Sequence, residues 1–416
     1  HLKRNIIIGV IIVGIISAVV LNFTRAKYRT TQSIPLVNGT INYELSDLNL
    51  IGVYIEDGED YTKVDQIPDT GYTFNQEKSY CKIGDEKQNM TITYDMNTKN
   101  LTITPMTTKG TKCYLYFDKE PTLKDTILAN NKVNSGTPNF SKVATIDEGL
   151  YKAQDDWGDS YYFRGAVTNN WVTFAGYYWR IIRINGDGSI RLIYNGTSTK
   201  TTGDSTMIDS RQTFNTRYNG GEYAGYMYTK GEQHGNTTNS PIKTVVDNWY
   251  NSNLASYADK ISKEAGFCGD RDLASGSWSN TASSLSYAAY GRLADNKAPT
   301  LKCSNSADLY TTSSSSKGNK ALTNPIGLIT ADEVSMAGGV FKEKNHSYYL
   351  YNNSIYWTMS PYIFSNSSNR VFSVDSDDSL NYWGVDNEWG VRPVINIASN
   401  VAIKSGNGTS STPYEI

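Results

Sequence analysis

The sequence predicts a β-rich chain of two domains behind a membrane anchor. Residues 1–35 read as an N-terminal transmembrane helix and connector, 36–120 as a small all-β, sandwich-like domain, and 121–416 as a larger α+β domain. Three observations carry this. An apolar run opens the chain, strand-like alternation around polar turns follows it, and after Pro121 helical spacing begins to alternate with strands. Length independently suggests two or three domains.

The anchor is IIIGVIIVGIISAVVLNF, residues 6–23. At 1.5 Å per residue it reaches roughly 27 Å, enough to cross the hydrocarbon core of a bilayer. A cleaved leader would have a shorter apolar core followed by a small-x-small site, whereas this run ends in Asn22-Phe23-Thr24-Arg25. Basic residues lie on both sides of the span. Counted alone, Arg25, Lys27 and Arg29 would hold the C-terminal side in the cytoplasm. Long domains translocate largely regardless of charge, and the cysteines argue for export. The expectation is a single-pass cell-membrane protein with its C-terminal domains outside.

From 36 to 118 the pattern is extended. LIGVYI (50–55) is a β-type run, ITYDMNTKNLTIT (92–104) is two alternating segments around a polar turn, and KCYLYFD (112–118) alternates again. No helical period interrupts them. The chain has four cysteines, Cys81, Cys113, Cys268 and Cys303, which allow three connectivities. Local pairing, 81–113 and 268–303, puts one bridge in each half. Neither pair has C-x-x-C spacing, so the expected role is structural, in an oxidising space. Closing a loop of some thirty residues stabilises by about 3–4 kcal/mol in the chain-entropy model.

The larger domain opens with LKDTILANNK (123–132) at helical spacing. Strands Tyr178–Ile184 and Ser189–Tyr194 flank Asn185-Gly186-Asp187-Gly188, a hairpin turn whose residues tolerate positive φ. A helix is expected over 240–262, with Ser240 as N-cap, Pro241 at N1, and Val245, Val246 and Trp249 on one core face. Another spans 329–339, capped by Thr330, with Asp332 and Glu333 in its first turn and Gly338-Gly339 as its stop. YYLYNNSIYWTMSP (348–361) returns to strand. The sum is an α+β domain with long loops over a small antiparallel sheet.

Composition excludes several functions. A net charge of −2 offers no basic face for nucleic acid. Only three histidines occur, His1, His234 and His346, too few for a His-based zinc site or a Ser–His triad. There is no G-x-S-x-G and no phosphate-binding glycine loop. Asp375, Asp377 and Asp378, with Asp386 and Glu388 nearby, form an acidic group. It lacks the EF-hand spacing: no glycine follows Asp377-Asp378, and Glu388 is misplaced for a terminal ligand. No cofactor, metal or catalytic residue is expected.

What remains is recognition. FSNSSNRVFSVDSDDSLNYWGVDNEWGVRPV (364–394) mixes Asn, Ser, Asp and Gly with Phe372, Tyr382, Trp383 and Trp389. That is the recipe of antibody paratopes: rigid aromatic area with adaptable polar groups. The expected ligand contacts are Asn366, Asn369, Asp375, Asp377, Asn381, Tyr382, Trp383, Asp386, Asn387 and Trp389. Arg392 is read as structural, tying down the last strand.

Several blocks carry a resemblance: YYFRGAVTNNWVTFAGYYWRIIRINGDGSIRLIYNG, EAGFCGDRDLASG, NPIGLITADEVSMAGGV, YWTMSPYIF, GVRPVINI and the closing SGNGTSSTPYEI. They resemble a group of membrane-anchored bacterial surface proteins whose C-terminal domain has a C-type-lectin-like fold. The likeness covers about residues 121–416. The last block is also similar in layout to the variable proteins of diversity-generating retroelements, where mutagenic reverse transcription at adenines rewrites codons on a fixed scaffold. The resemblance implies scaffold strands at Val371–Val374 and Val391–Ile397, with displayed residues between and before them. It implies a protein or carbohydrate ligand at a cell or phage surface, and no nucleic-acid partner. Two other readings stay open at this point: a catalytic domain of formylglycine-generating type, which would need a thiol, and a calcium-dependent lectin.

Overall fold

The computed structural model describes residues 49–69, 71–104, 110–377 and 379–416. The expected membrane span over 6–23, its connector, residues 36–48 and Asp378 lie outside the described residues. Within them, no helix is long and apolar enough to cross a membrane. The chain is mostly β-sheet with few helices, and it separates into two compact units, one ending at Glu120 and the other beginning at Pro121.

The first unit holds seven strands among the described residues: β1 (Asn49–Asp57), β2 (Asp60–Val64), β3 (Tyr72–Ile83), β4 (Glu86–Gln88), β5 (Thr91–Asp95), β6 (Asn100–Thr104) and β7 (Thr111–Lys119). Five form one sheet in the order β2-β1-β7-β3-β4, with β1 and β7 parallel. The remaining two, β5 and β6, are the hairpin expected over 92–104. Its turn is fixed by Asp95, whose carboxylate accepts from the Asn97 and Thr98 N–H groups at 2.8 and 3.1 Å. Alternation decides which way side chains point. Val53, Cys81, Cys113, Leu115 and Phe117 face inward and pack with Ile92, Tyr94, Leu101 and Ile103 of the hairpin. Cys81 and Cys113 sit directly opposite each other on β3 and β7, and they are bridged.

The second unit is built on two sheets sharing one core. Its longer strands are β8 (Asp147–Asp155), β9 (Gly158–Gly165), β10 (Trp171–Phe174), β11 (Tyr177–Ile184), β12 (Ile190–Tyr194), β13 (Ile208–Thr213), β14 (Tyr356–Ser365), β15 (Ser368–Val374), β16 (Leu380–Gly384), β17 (Glu388–Val391) and β18 (Val394–Ile397). The first sheet runs Ile326–Gly327, β18, β12, β11, β9, β8, Val133–Asn134, with β10 beside β11 and Tyr414–Glu415 beside β10. The second runs β13, β17, β14, β15, β16, with Ser284–Ser286 against β14. Trp179, Ile181 and Leu192 from one sheet and Trp357, Val371 and Phe372 from the other lie in the same core. The sheets are therefore larger than the small antiparallel one expected. Strand β12 is buried along its whole length, because both of its faces are covered.

Among the described residues, the three helices of seven residues or more are α1 (Leu123–Asn130), α2 (Pro241–Asn253) and α3 (Ala331–Ala337). Their starts follow the sequence rules. Thr122 and Thr330 make capping boxes with Asp125 and Glu333, and the Ser240 hydroxyl accepts from Lys243 N–H ahead of Pro241. Helix α2 stops well short of residue 262, because the Asn253 side chain donates to the Trp249 carbonyl and Leu254 turns the chain away. Strand β14 begins only at Tyr356; residues 348–351 form a turn closed by Tyr351 N–H on Tyr348 O. The run expected as one strand, 391–397, is two strands in two sheets. Pro393 has no N–H to give a ladder, and the break falls at Arg392-Pro393.

Candidate functional site

The aromatic and polar stretch of 364–391 is ordered by two hairpins. Strands β14 and β15 meet at Asn366-Ser367, both at positive φ (52° and 53°) and both exposed. Two consecutive residues of that hand suit the right-handed twist of a tight hairpin. Strands β15 and β16 are joined over Asp375–Ser379. There Asp375 N–H donates to Ser379 O at 3.0 Å, and the Asp377 carboxylate accepts from Ser379 N–H and O–H at 3.2 and 2.8 Å.

Successive residues of β16 point to opposite faces. Tyr382 turns inward and stacks on Tyr362, with centroids 4.0 Å apart and planes 9° from parallel. Asn381 and Trp383 share the other face, and both reach the Asp375 carboxylate at 2.8 Å, through Asn381 Nδ2–H and Trp383 Nε1–H. Trp383 is 36% exposed, and its ring centroid lies 5.1 Å from that of Trp389 on β17. The Arg211 guanidinium lies 5.4 Å from the Trp389 ring centroid, and Arg211 in turn pairs with Asp204 at 3.3 Å. Trp389 Nε1–H is buried with no acceptor among the described residues.

The site has one titrating group of interest. Burial pushes the Asp375 carboxyl above its ordinary range, and the hydrogen bonds from Trp383, Asn381 and Ser373 pull against that without reversing it. Asp377 goes the other way: burial opposes ionisation, but the two Ser379 hydrogen bonds and Lys344, 3.7 Å away, outweigh it. Among the described residues no three Asp, Glu, His or Cys side chains group as a metal site.

The ten residues expected as contacts therefore divide. Asp375, Asn381, Trp383 and Trp389 form one cluster. Asp386 and Asn387 sit on the exposed turn between β16 and β17, Asn366 on the exposed tip of β14–β15, and Asp377 on the β15–β16 turn. Asn369 must be corrected. It is fully buried, its Nδ2 donates to the Gly220 and Gly221 carbonyls at 2.7 and 2.8 Å, and its backbone O accepts from Val385 N–H. It is a strut between the hairpin, the 218–221 loop and the β16–β17 turn, with nothing left for a ligand. Tyr382 is corrected in part: its ring belongs to the stack of Tyr362 and Phe341, at 4.0 and 6.3 Å. Arg392 is fully buried and donates to Tyr194 O, Leu350 O and Asn195 Oδ1 at 3.0, 3.3 and 2.7 Å.

Sequence reading missed a second constellation. Glu333 caps α3, accepts from the buried Arg183 at 2.9 Å, and forms an ion pair with the buried Arg191, whose Nε lies 2.5 Å away without a hydrogen bond. Arg183 continues to Asp155 at 2.6 Å. Arg292 holds Asp270 and Asp332 at 2.6 and 2.8 Å, and Arg271 holds Asp308 at 2.6 Å. A cavity of about 30 Å³ lies among these groups, walled also by Asp156 and Cys268, with room for a water or two. Each charge is answered by a partner, so the cluster fastens the 269–302 loop and α3 onto the sheet. Cys268 is bridged to Cys303, as Cys81 is to Cys113, so all four cysteines of the chain are bridged. The signal was present in YYWRIIRI and IRLIY. An arginine inside an all-apolar strand must meet a buried acceptor.

Compared with family models, curated proteins and solved structures, the chain finds no significant match.

Proposed function

We propose that the chain is a cell-surface binding protein, in which the Pro121–Ile416 unit is a C-type-lectin-like head displaying a recognition face on β16, β17 and their turns. The observation that carries this reading is the posture of Trp383. A tryptophan left over a third exposed normally has freedom, yet this one is held by Asp375 and by the Trp389 ring. A large aromatic fixed before its partner arrives loses little entropy on binding, which is what an interface anchor needs. Asp386, Asn387 and Asn366 supply adaptable polar groups on exposed turns. The two disulfides agree with an extracellular setting. The reading extends to the variable proteins of diversity-generating retroelements. The fixed part of the fold would then be β15 and β18 with Asn369 and Arg392, and the changeable part would be the exposed positions.

The test is retention of the full chain on a panel of bacterial cells and phage particles. A triple variant, Trp383→Ala with Asp386→Ala and Asn387→Ala, is expected to lose retention at least about tenfold while its melting temperature moves little, as for surface changes in general. Retention unchanged in that variant would sink the recognition face. The diversification claim has its own check in the gene's neighbourhood. A reverse transcriptase beside a near-copy of the last segment, differing at adenines, is expected; a neighbourhood with neither overturns it.

A further inference from the structure

The outward face of the first unit's sheet carries a pattern that folding alone does not call for. On the side opposite Val53, Cys113 and Leu115, the register places residues in rows across the strands. One row is Lys87, Lys82 and Lys112, each directly opposite the next on β4, β3 and β7. The next is Tyr80, Tyr114 and Gly52, and the one after it Tyr116, Tyr54 and Lys63 on β7, β1 and β2. The rings lie on one another: Tyr80 on Tyr114 at 5.0 Å and 20°, Tyr54 on Tyr116 at 4.9 Å and 11°. Gly52 leaves room for the Tyr54 ring, since a Cβ there would meet it at 2.6 Å. The result is a half-exposed row of phenol rings packed face to face across the strands, with ammonium groups over them. Lys87 stands 4.2 Å from the Tyr80 ring centroid, Lys82 5.5 Å from Tyr114 and Lys78 4.2 Å from Tyr61.

Like charges directly opposite on neighbouring strands destabilise a sheet. Among the described residues, the only carboxylate paired with this row is Asp85, 3.8 Å from Lys82 and fully exposed. The tyrosine rings under Lys82 and Lys87 offset part of that repulsion, and the row still invites a partner that brings negative charge. The half-exposed phenols beside it offer hydroxyl groups to a polyhydroxylic partner. The geometry points to a binding site for an anionic polysaccharide, its sugars against the row of Tyr80, Tyr114, Tyr116 and Tyr54 and its acidic groups on Lys82, Lys87 and Lys112. Phenol hydroxyls exchange hydrogen bonds with sugar hydroxyls, while the sugar's carboxylates or sulfates take charge-assisted hydrogen bonds from the lysines. This site lies in the first unit and stands or falls apart from the recognition face proposed for the second.

The experiment titrates the full chain, kept in solution with a neutral detergent at low salt, with polygalacturonate, dextran sulfate, uncharged dextran and poly(dT). The acidic glycans are expected to bind at least about tenfold more tightly than dextran or poly(dT). The triple variant Lys82→Gln, Lys87→Gln, Lys112→Gln is expected to lose that binding at least about tenfold while melting at the same temperature or higher, because the opposed charges are gone. A Tyr114→Leu variant, which removes the central ring, is expected to weaken glycan binding with the lysines intact. The inference is overturned if neither acidic glycan binds, if poly(dT) binds as tightly as they do, or if the lysine variant binds like the wild type.

Discussion

Asn369 separates a ligand contact from a strut, and its replacement by alanine makes the distinction measurable. The change removes the two long-range hydrogen bonds donated to the Gly220 and Gly221 carbonyls, besides the local one that Oδ1 accepts from the adjacent Arg370 N–H. Neither carbonyl is stripped bare. Gly220 O still accepts from Tyr223 N–H, and Gly221 O from the Tyr287 hydroxyl. The cost therefore sits near the ordinary net value of a hydrogen bond, ~1 kcal/mol each, or about 2 kcal/mol in all. In a unit of this size that lowers the melting temperature by roughly 4 °C or a little more. Asn387→Ala, on an exposed turn, is the control and is expected within about 0.5 kcal/mol of wild type. The assay is thermal unfolding of the full chain followed by near-UV circular dichroism, alongside retention on the cell and phage panel. A variant that melts within about 1 °C of wild type yet loses retention would falsify the strut. Asn369 would then be touching the ligand after all.

Two further outcomes follow from the buried and half-buried carboxylates. Glu333→Gln leaves Arg191 without its carboxylate and Arg183 with Asp155 alone; breaking such a buried pair costs about 3–5 kcal/mol, read as a melting shift of at least about 6 °C. Burial alone would raise the Glu333 carboxyl, but Arg191 and Arg183 outweigh it and hold it below 4.5. A depressed carboxylate contributes stability above its unfolded pKa and loses it as pH falls through the folded value. The gap between wild type and Glu333→Gln is thus expected to close in acid, below about pH 4; a gap that persists there refutes the ion-pair account. Asp375 has the opposite sign, so Trp383 emission is expected to titrate with a midpoint above 3.8 and to lose that step in Asp375→Asn. A midpoint at or below 3.8 would remove the buried carboxylate from the site's description.

Local rules were legible because they act over few residues. Caps at Thr122, Ser240 and Thr330, the Asn185–Gly188 turn and the 92–104 hairpin need only near neighbours, and all formed where their chemistry pointed. Pairing of the cysteines followed from the alternation that put Cys81 and Cys113 on one face of adjacent strands. Within the candidate site, the exposed turn residues and the Trp383–Trp389 pair lay inside the stretch that composition marked. Asn369 and Tyr382 were misread because a polar or aromatic residue in a strand faces either way. Only the register against β15 decides which. The strand arginines signalled a buried acceptor, but which acceptors they meet was illegible for a different reason. Arg183, Glu333 and Asp155 are far apart in sequence, and what brings them together is the stacking of α3 on the first sheet.

The parallel pairing of β1 with β7 also has a mechanical meaning. The chain enters the first sheet at Asn49 and leaves it near Lys119, along neighbouring strands that run the same way. Tension between the segment before Asn49 and the unit after Glu120 therefore pulls β1 and β7 from opposite ends. Their hydrogen bonds lie across the direction of pull and carry the load together, where a hairpin pulled from its two open ends would unzip rung by rung. The Cys81–Cys113 bridge ties β7 to β3 on its other side, so the strand under load is fastened to a neighbour by a covalent bond. A sheet wired in this order can transmit a tug without coming undone.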